Sequence, residues 1–470
     1  MNRSKELAKN TVILTIGKMC TQFVSFMLLP LYTTLLSTEE YGVVDLLITY
    51  ISLLLPLVCW QLDQGIFRFM LDIRDDNNKI KSLFSSILAL NFFQSLIFVL
   101  LFYILTPFFF ISEYKIYLLL GVVLNVLSSL LMQFARGLRK MFHYSVASFL
   151  TAVSTVCLNV LFVAVFKMGA NGIFIATMCG IGINCVYLII ALGAWKYIDI
   201  KGINIKLIID VCKYSAPLIP NQISGWILSA SDRTIVSQFI SIAANGVYSV
   251  ANKFSNLVGT FYGFFNLAWV ETVSVHYNDE DRDSFISEMI ETVLNIFVSV
   301  CVCIIAIMPF VFPIMVNSKY EDAYYQIPIL LVAVIFQILV GLYSAIYIAL
   351  KKSVTIARTT IAGAIINVVV NIALIRFIGL YAASISTLVS YACVALYRKV
   401  DVKKYVNINL NKRNVISNII MVITVTIGYY INLNFTNIIL FVLAVIYALF
   451  INRDVIILLI EEIKKYMHHN

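Results

Sequence analysis

Apolar runs of about twenty residues alternate with short polar segments along almost the whole of this 470-residue chain. Thr11 to Leu36 is one such run, with Lys18 its only charge. A helix needs roughly 20 apolar residues to cross the hydrocarbon core of a bilayer. The pattern predicts fourteen spans, at 11–36, 42–62, 82–107, 116–135, 142–166, 170–195, 214–239, 245–270, 288–316, 323–350, 354–375, 380–397, 414–433 and 436–452. A transmembrane β-barrel would instead show segments of about 10 residues with alternating polarity. That alternation is absent, so the expected fold is all-α and integral to the membrane. The first ten residues are polar (Arg3, Lys5, Lys9), and the run after them is too long for a signal-peptide core, which makes it a retained first span.

Composition agrees with the pattern. The chain is 61% hydrophobic and 13% charged, with a mean hydropathy of +0.92. Soluble domains run near 45–50% apolar with about a quarter of residues charged. Nearly all of the nine cysteines lie within apolar runs (Cys20, Cys157, Cys301 and Cys303 among them), as small packing residues would. The four histidines show no metal-ligand spacing. No phosphate loop, nucleophile elbow or dinucleotide fingerprint occurs. The expectation is a protein that is not an enzyme and carries no cofactor.

The basic residues orient the spans, because cytoplasmic loops carry an excess of Lys and Arg. With the N-terminus cytoplasmic, inner segments hold 27 of the 34 basic residues, counting Arg358 at the inner end of the span 354–375. Outer loops then hold four (Lys115, Lys167, Lys319, Arg376), and Lys18, Arg233 and Lys253 lie inside spans. Both termini are therefore expected in the cytoplasm. The net charge of +9 follows from topology and attraction to anionic lipid, and requires no nucleic-acid partner. Trp60, Trp195 and Trp269 fall at predicted inner interfaces. Two inner loops are long, 197–213 and 398–413, and Ile203 to Cys212 has the pattern of a short amphipathic surface helix.

The two halves repeat at a shift of about 200–212 residues. Ser37 to Val43 opens span two as Ser241 to Val247 opens span eight, and Pro107-Phe108 corresponds to Pro309-Phe310. Arg139-Lys140 corresponds to Lys351-Lys352, and Gly169 with Ala176-Thr177 to Gly379 with Ser386-Thr387. Six spans per repeat give both halves the same orientation, and parallel-repeat transporters place their substrate path between the lobes. The expected domains are a six-helix lobe at 1–196, a cytoplasmic linker at 197–213, a second six-helix lobe at 214–397, and 398–470 with the last loop, helices 13–14 and the tail.

Charges at membrane depth cost about 2.5–3.5 kcal/mol each on insertion scales, so Lys18, Arg233 and Lys253 must meet water or partners. Helical spacing shows what shares their faces. Span one aligns Thr11, Thr15, Lys18, Gln22 and Ser25, and span two aligns Asp45, Thr49, Ser52 and Pro56. A shift of 204 takes the span-two set to Ser249, Lys253, Asn256 and Thr260 in span eight. It takes Lys18 to Gln222 and Ser25 to Ser229 in span seven, whose face continues to Asp232 and Arg233. Four related stripes favour a shared polar cavity. The competing reading is that these groups pair with each other in a packed bundle, Asp232 with a lysine for instance. Pro30, Pro217 and Pro220 permit kinks in spans one and seven. Gly259 and Gly263 allow close packing or a bend in span eight.

These residues resemble the multidrug/oligosaccharidyl-lipid/polysaccharide (MOP) superfamily, and within it the Wzx-type flippases of O-antigen and capsular polysaccharide. The resemblance covers roughly residues 5–400. It is carried by Lys9-Asn10 through Gly17-Lys18, Leu29-Pro30-Leu31-Tyr32, Glu39-Glu40-Tyr41-Gly42, Arg136-Gly137, Asp232-Arg233 and Gly246 to Ala251. It implies a bacterial inner-membrane protein of fourteen helices in two lobes. Such a protein moves undecaprenyl-pyrophosphate-linked oligosaccharide from the cytoplasmic to the outer leaflet by alternating access, with membrane lipids and a polysaccharide polymerase or other assembly proteins as partners. Lys18, Arg233 and Lys253 are then the candidate phosphate contacts. Asp45, Asp232, Gln22, Thr49, Gln222 and Asn256 are candidate cavity or ion-coupling groups. Coupling to H⁺, to Na⁺, to membrane potential or to none of these stays open. Lipid II flippases carry several cavity arginines in their first helices, where this chain has only Lys18. MATE-type exporters of organic cations rely on cavity acids, whereas here three cations stand against Asp45 and Asp232. An envelope scaffold would need no polar stripes.

Overall fold

The computed structural model describes residues 26–105, 114–458 and 461, and every regular element among them is helical. The chain forms two compact units, Met1–Ala230 and Ser231–Asn470. The first contains α1 (Leu29–Leu35), α2 (Thr38–Cys59), α3 (Leu62–Ile73), α4 (Asn77–Leu105), α5 (Lys115–Gly137), α6 (Met141–Asn159), α7 (Gly169–Leu192) and α8 (Ile205–Ser215). A π-helical stretch, Val160–Val165, prolongs α6. Helix α9 (Ile219–Phe239) carries the chain into the second unit. There follow α10 (Ile242–His276), α11 (Arg282–Met315), α12 (Asp322–Ala349), α13 (Ser353–Ile378), α14 (Tyr381–Val402), α15 (Lys412–Ile431) and α16 (Asn434–Ile451). Spans two to fourteen each coincide with one of the long helices, and most of span one lies outside the described residues. The surface helix expected at 203–212 is α8.

The fold is an all-α membrane architecture, and its repeat is written in helix ends. Ser37 caps α2 by accepting from Glu40 N–H at 3.1 Å, and Ser241 caps α10 by accepting from Ala244 N–H at 3.0 Å. Each cap satisfies a backbone donor that the first turn leaves without a partner. Arg139 after α5 and Lys351 after α12 are both left-handed, with φ of 59° and 57°. The next N–H closes each helix by the same reach back, Lys140 to Ala135 O at 2.9 Å and Lys352 to Tyr347 O at 2.8 Å. The segments after α7 and α14 also match, the first running through two 3₁₀ turns and the second extended. Asp199 and Asn204 donate their N–H to Ser85 and Ser86 of α4. Asn407, Asn409 and Asn411 donate theirs to Asp283, Ser287 and Glu291 of α11. An extended strip without a sheet must find such side-chain acceptors.

Packing repeats as well. In the first unit α5 lies against α2, α4 and α7, with α6 on α7; in the second α12 lies against α10, α11 and α14, with α13 on α14. Helices α15 and α16 pack on α11. One feature differs between the units. A shift of 204 maps α2 and α3 together onto the single 35-residue helix α10. Between α2 and α3 both Trp60 and Gln61 are left-handed, with φ of 48° and 55°. Helix α3 then packs on α8 so closely that a β-carbon at Gly65 would collide with Ser215 and Val211. Trp60 and Trp195 are exposed as interface indoles should be, but Trp269 is buried and donates to Leu342 O at 3.2 Å. The expected interface position of Trp269 is thus corrected: it packs inside its unit, because α10 continues beyond the predicted span.

Candidate functional site

Ten helices among the described residues are long and apolar enough to cross a bilayer. Helices α9, α10 and α14 are long enough but too polar to join that set. The polar residues that set them apart concentrate the candidate chemistry of the second unit.

Asp232 of α9 is 3% exposed. Its Oδ2 accepts from Tyr248 of α10 at 2.5 Å and from Thr387 of α14 at 2.8 Å. Its Oδ1 is buried and takes no hydrogen bond among the described residues. Ser231 donates to Asn367 of α13 at 3.2 Å, and the Asn367 amide reaches Thr387 at 3.4 Å. One buried polar network therefore fastens α9, α10, α13 and α14 at the level of Asp232. The hydrogen-bond partners of Asp232 are the hydroxyls of Tyr248 and Thr387, where the competing reading of the sequence offered a lysine. Arg233 follows Asp232 directly and is half-buried, as is Lys253, five residues after Tyr248. Buried hydrogen bonds of this kind hold neighbouring side chains in place, because breaking one leaves a desolvated polar group. Along the α10 stripe, Ser249 is buried, Lys253 and Thr260 are half-buried and Asn256 is exposed.

The remaining predicted residues lie in the first unit. Thr49 of α2 is buried, donates to Asp45 O at 2.8 Å, and accepts at its own carbonyl from the indole N–H of Trp226 at 3.0 Å. Trp226 also reaches Ser52 Oγ at 3.1 Å, so it bridges the α2 stripe to α9 within the same unit. Asp45 is half-buried and Gln222 is exposed. Lys18 and Gln22 lie outside the described residues. Sequence reasoning noticed Thr387 only as a repeat partner and Tyr248 only within a motif, and it missed Trp226 and Asn367. Asn367 had a signal: it is one of two amides, with Asn371, four residues apart in an otherwise apolar run.

Residues 7–274 match the family described as "Polysaccharide biosynthesis protein". The chain is also similar in structure to a lipid II flippase, MurJ, in an inward closed conformation. That likeness has a TM-score of 0.72 at 16% identity and covers 95% of this chain and all of the other. It is similar to a multidrug resistance MATE transporter of the MOP superfamily, inward-facing, with a TM-score of 0.64 at 14% identity over 82% of this chain and 95% of the other. A second MATE structure, in complex with MaL6, gives 0.57 at 16% over 84% and 96%. No curated protein matches the chain. At these identities the structural likenesses establish the fold.

Proposed function

Because the chain belongs to the polysaccharide biosynthesis protein family, we propose that it is a flippase for a glycan carried on undecaprenyl pyrophosphate. It moves that lipid from the cytoplasmic to the outer leaflet for surface polysaccharide such as O-antigen or capsule. A polyprenyl pyrophosphate has a tail at home in hydrocarbon and a charged head that hydrocarbon rejects. Its carrier needs cations at membrane depth that the fold already supports there. The observation that carries the reading is that Arg233 and Lys253 are both half-buried on two of the long helices too polar to count as apolar spans, helices that the Asp232–Tyr248–Thr387 network fastens together. Cationic hydrogen bonds to phosphate are strong, and stronger in a site of low dielectric.

A fold shared with a lipid II flippase suits an amphiphilic substrate. Alternating access, an inner-membrane location with both termini cytoplasmic, and a polymerase downstream belong to the same reading. For ion coupling, the buried Asp232, with one oxygen that accepts no hydrogen bond among the described residues, is favoured over the half-buried Asp45. Transport that proceeds equally with and without an imposed proton gradient would remove that role. The test of the whole reading is rescue of a flippase-deleted host. The wild-type chain restores surface glycan and clears the undecaprenyl-linked intermediate from the inner leaflet. If the chain instead confers resistance to cationic drugs and never rescues export, a MATE-type activity replaces this one.

A further inference from the structure

We propose that the second unit binds the phosphate headgroup of an anionic membrane phospholipid where α14 gives way to α15. A cavity of about 320 Å³ there has Lys399, Lys403 and Lys412 among its lining residues, over apolar groups that include Tyr343, Leu410 and Val415. No carboxylate lines it. Three nearby acids are engaged elsewhere. Asp401 accepts from Tyr347 at 2.8 Å and from Lys404 at 2.8 Å. Asp283 and Glu291 accept the N–H groups of Asn407 and Asn411.

Lys399, Lys403 and Lys412 are exposed, and three like charges around one cavity gather a positive potential that favours an anion among them. Lysine ammonium groups act as compact point charges, which suits a phosphate diester whatever its substituent. The 20-residue helix α15 also begins at Lys412, so its positive end adds to the same field. Exposed Leu396 and Val400 of α14, and exposed Ile416, Ile420 and Ile423 of α15, supply apolar surface for acyl chains beside the lysines. Shifted by 210, Lys399, Lys403 and Lys412 fall on Ile189, Gly193 and Gly202, so the first unit has no lysine at these three positions. The cavity lies at the end of the unit that the charge asymmetry assigns to the cytoplasm, where anionic lipid attracts basic residues. The proposal goes beyond the transported glycan and is independent of it.

The test uses the purified full-length protein and native mass spectrometry with added dioleoyl phosphatidylglycerol or dioleoyl phosphatidylcholine, without any glycan. The wild type retains phosphatidylglycerol in preference. The K399Q/K403Q/K412Q variant loses about tenfold or more of that affinity, and the corresponding triple Lys→Arg variant keeps it. Raising the salt weakens binding to the wild type. An equal response of the wild type to both lipids would overturn the proposal, whatever the export assay gives. So would an undiminished preference in the glutamine variant. Full displacement of the lipid by millimolar inorganic pyrophosphate would reassign the cavity to soluble phosphates and likewise overturn it.

Discussion

Leu188 and Arg398 occupy equivalent places in the two halves of the chain, and their surroundings differ to match. In the first unit Leu188 is fully buried in an apolar cluster with Ala147, Leu131 and the flanking Met132. Shifted by 210 it becomes Arg398, while a shift of 212 turns Ala147 into Thr359 and Met132 into Ser344. Arg398 is only 1% exposed. Its guanidinium donates to Thr359 at 2.6 and 3.0 Å, to Ser344 at 2.5 Å and to Val340 O at 3.0 Å. One helix arrangement thus tolerates an apolar lock or a polar one, provided that the whole neighbourhood changes together. The two units share helix ends and packing partners, while their interior chemistry differs.

The largest effect is expected from moving the charge to the wrong unit. Leu188→Arg buries a cation among Met132 and Ala147, where the two hydroxyls that receive Arg398 at Thr359 and Ser344 are missing, at a cost of more than about 4 kcal/mol. Full-length protein should vanish from the membrane fraction on immunoblots. Adding Ala147→Thr and Met132→Ser should recover part of it, and normal levels of the single variant would contradict the comparison. The reverse change costs less. In Arg398→Leu, Ser344 still bonds Val340 O, and Thr359 still bonds Thr355 O and Ile356 O. The loss should be about 1–3 kcal/mol, read from unfolding in detergent.

The break between α2 and α3 gives the smallest effect. Two consecutive non-glycine residues there hold left-handed backbone, which costs roughly 1–2 kcal/mol per residue for an L-amino acid. Gln61→Gly should therefore raise stability by about 1 kcal/mol in the same unfolding measurement. No gain would mean that the surroundings already compensate for the backbone. The equivalent residue in α10 is Phe265, inside an unbroken helix, where a glycine should destabilise instead.

Much of this architecture was legible in the sequence because lipid demands long apolar runs and water rejects them. The spans follow from that demand, while α8 is legible from its amphipathic spacing and the repeat from paired motifs at helix ends. Helix α3 was not anticipated, although Leu62, Ile66, Met70 and Ile73 carry its amphipathic spacing. No glycine or proline marks the break at Trp60–Gln61, so the segment passes for loop. Arg398 was counted as a loop cation because α14 runs several residues beyond its apolar run, and no local signal announces acceptors on α12 and α13. The polar stripe exposed Asp232 and Arg233 as a pair. Which of the two would be tied down was set by hydroxyls on α10 and α14, far away in sequence.

The central claim is that cations at membrane depth carry the head group, and one measurement addresses it directly. Lys18→Ala, Arg233→Ala and Lys253→Ala are compared with wild type for surface glycan in a flippase-deleted host at matched membrane levels. Each should cut outward movement about tenfold or more, with the lipid-linked intermediate accumulating on the inner leaflet. Lys↔Arg exchanges at the same positions should retain more activity than alanine. Wild-type surface glycan from all three alanine variants would contradict the claim.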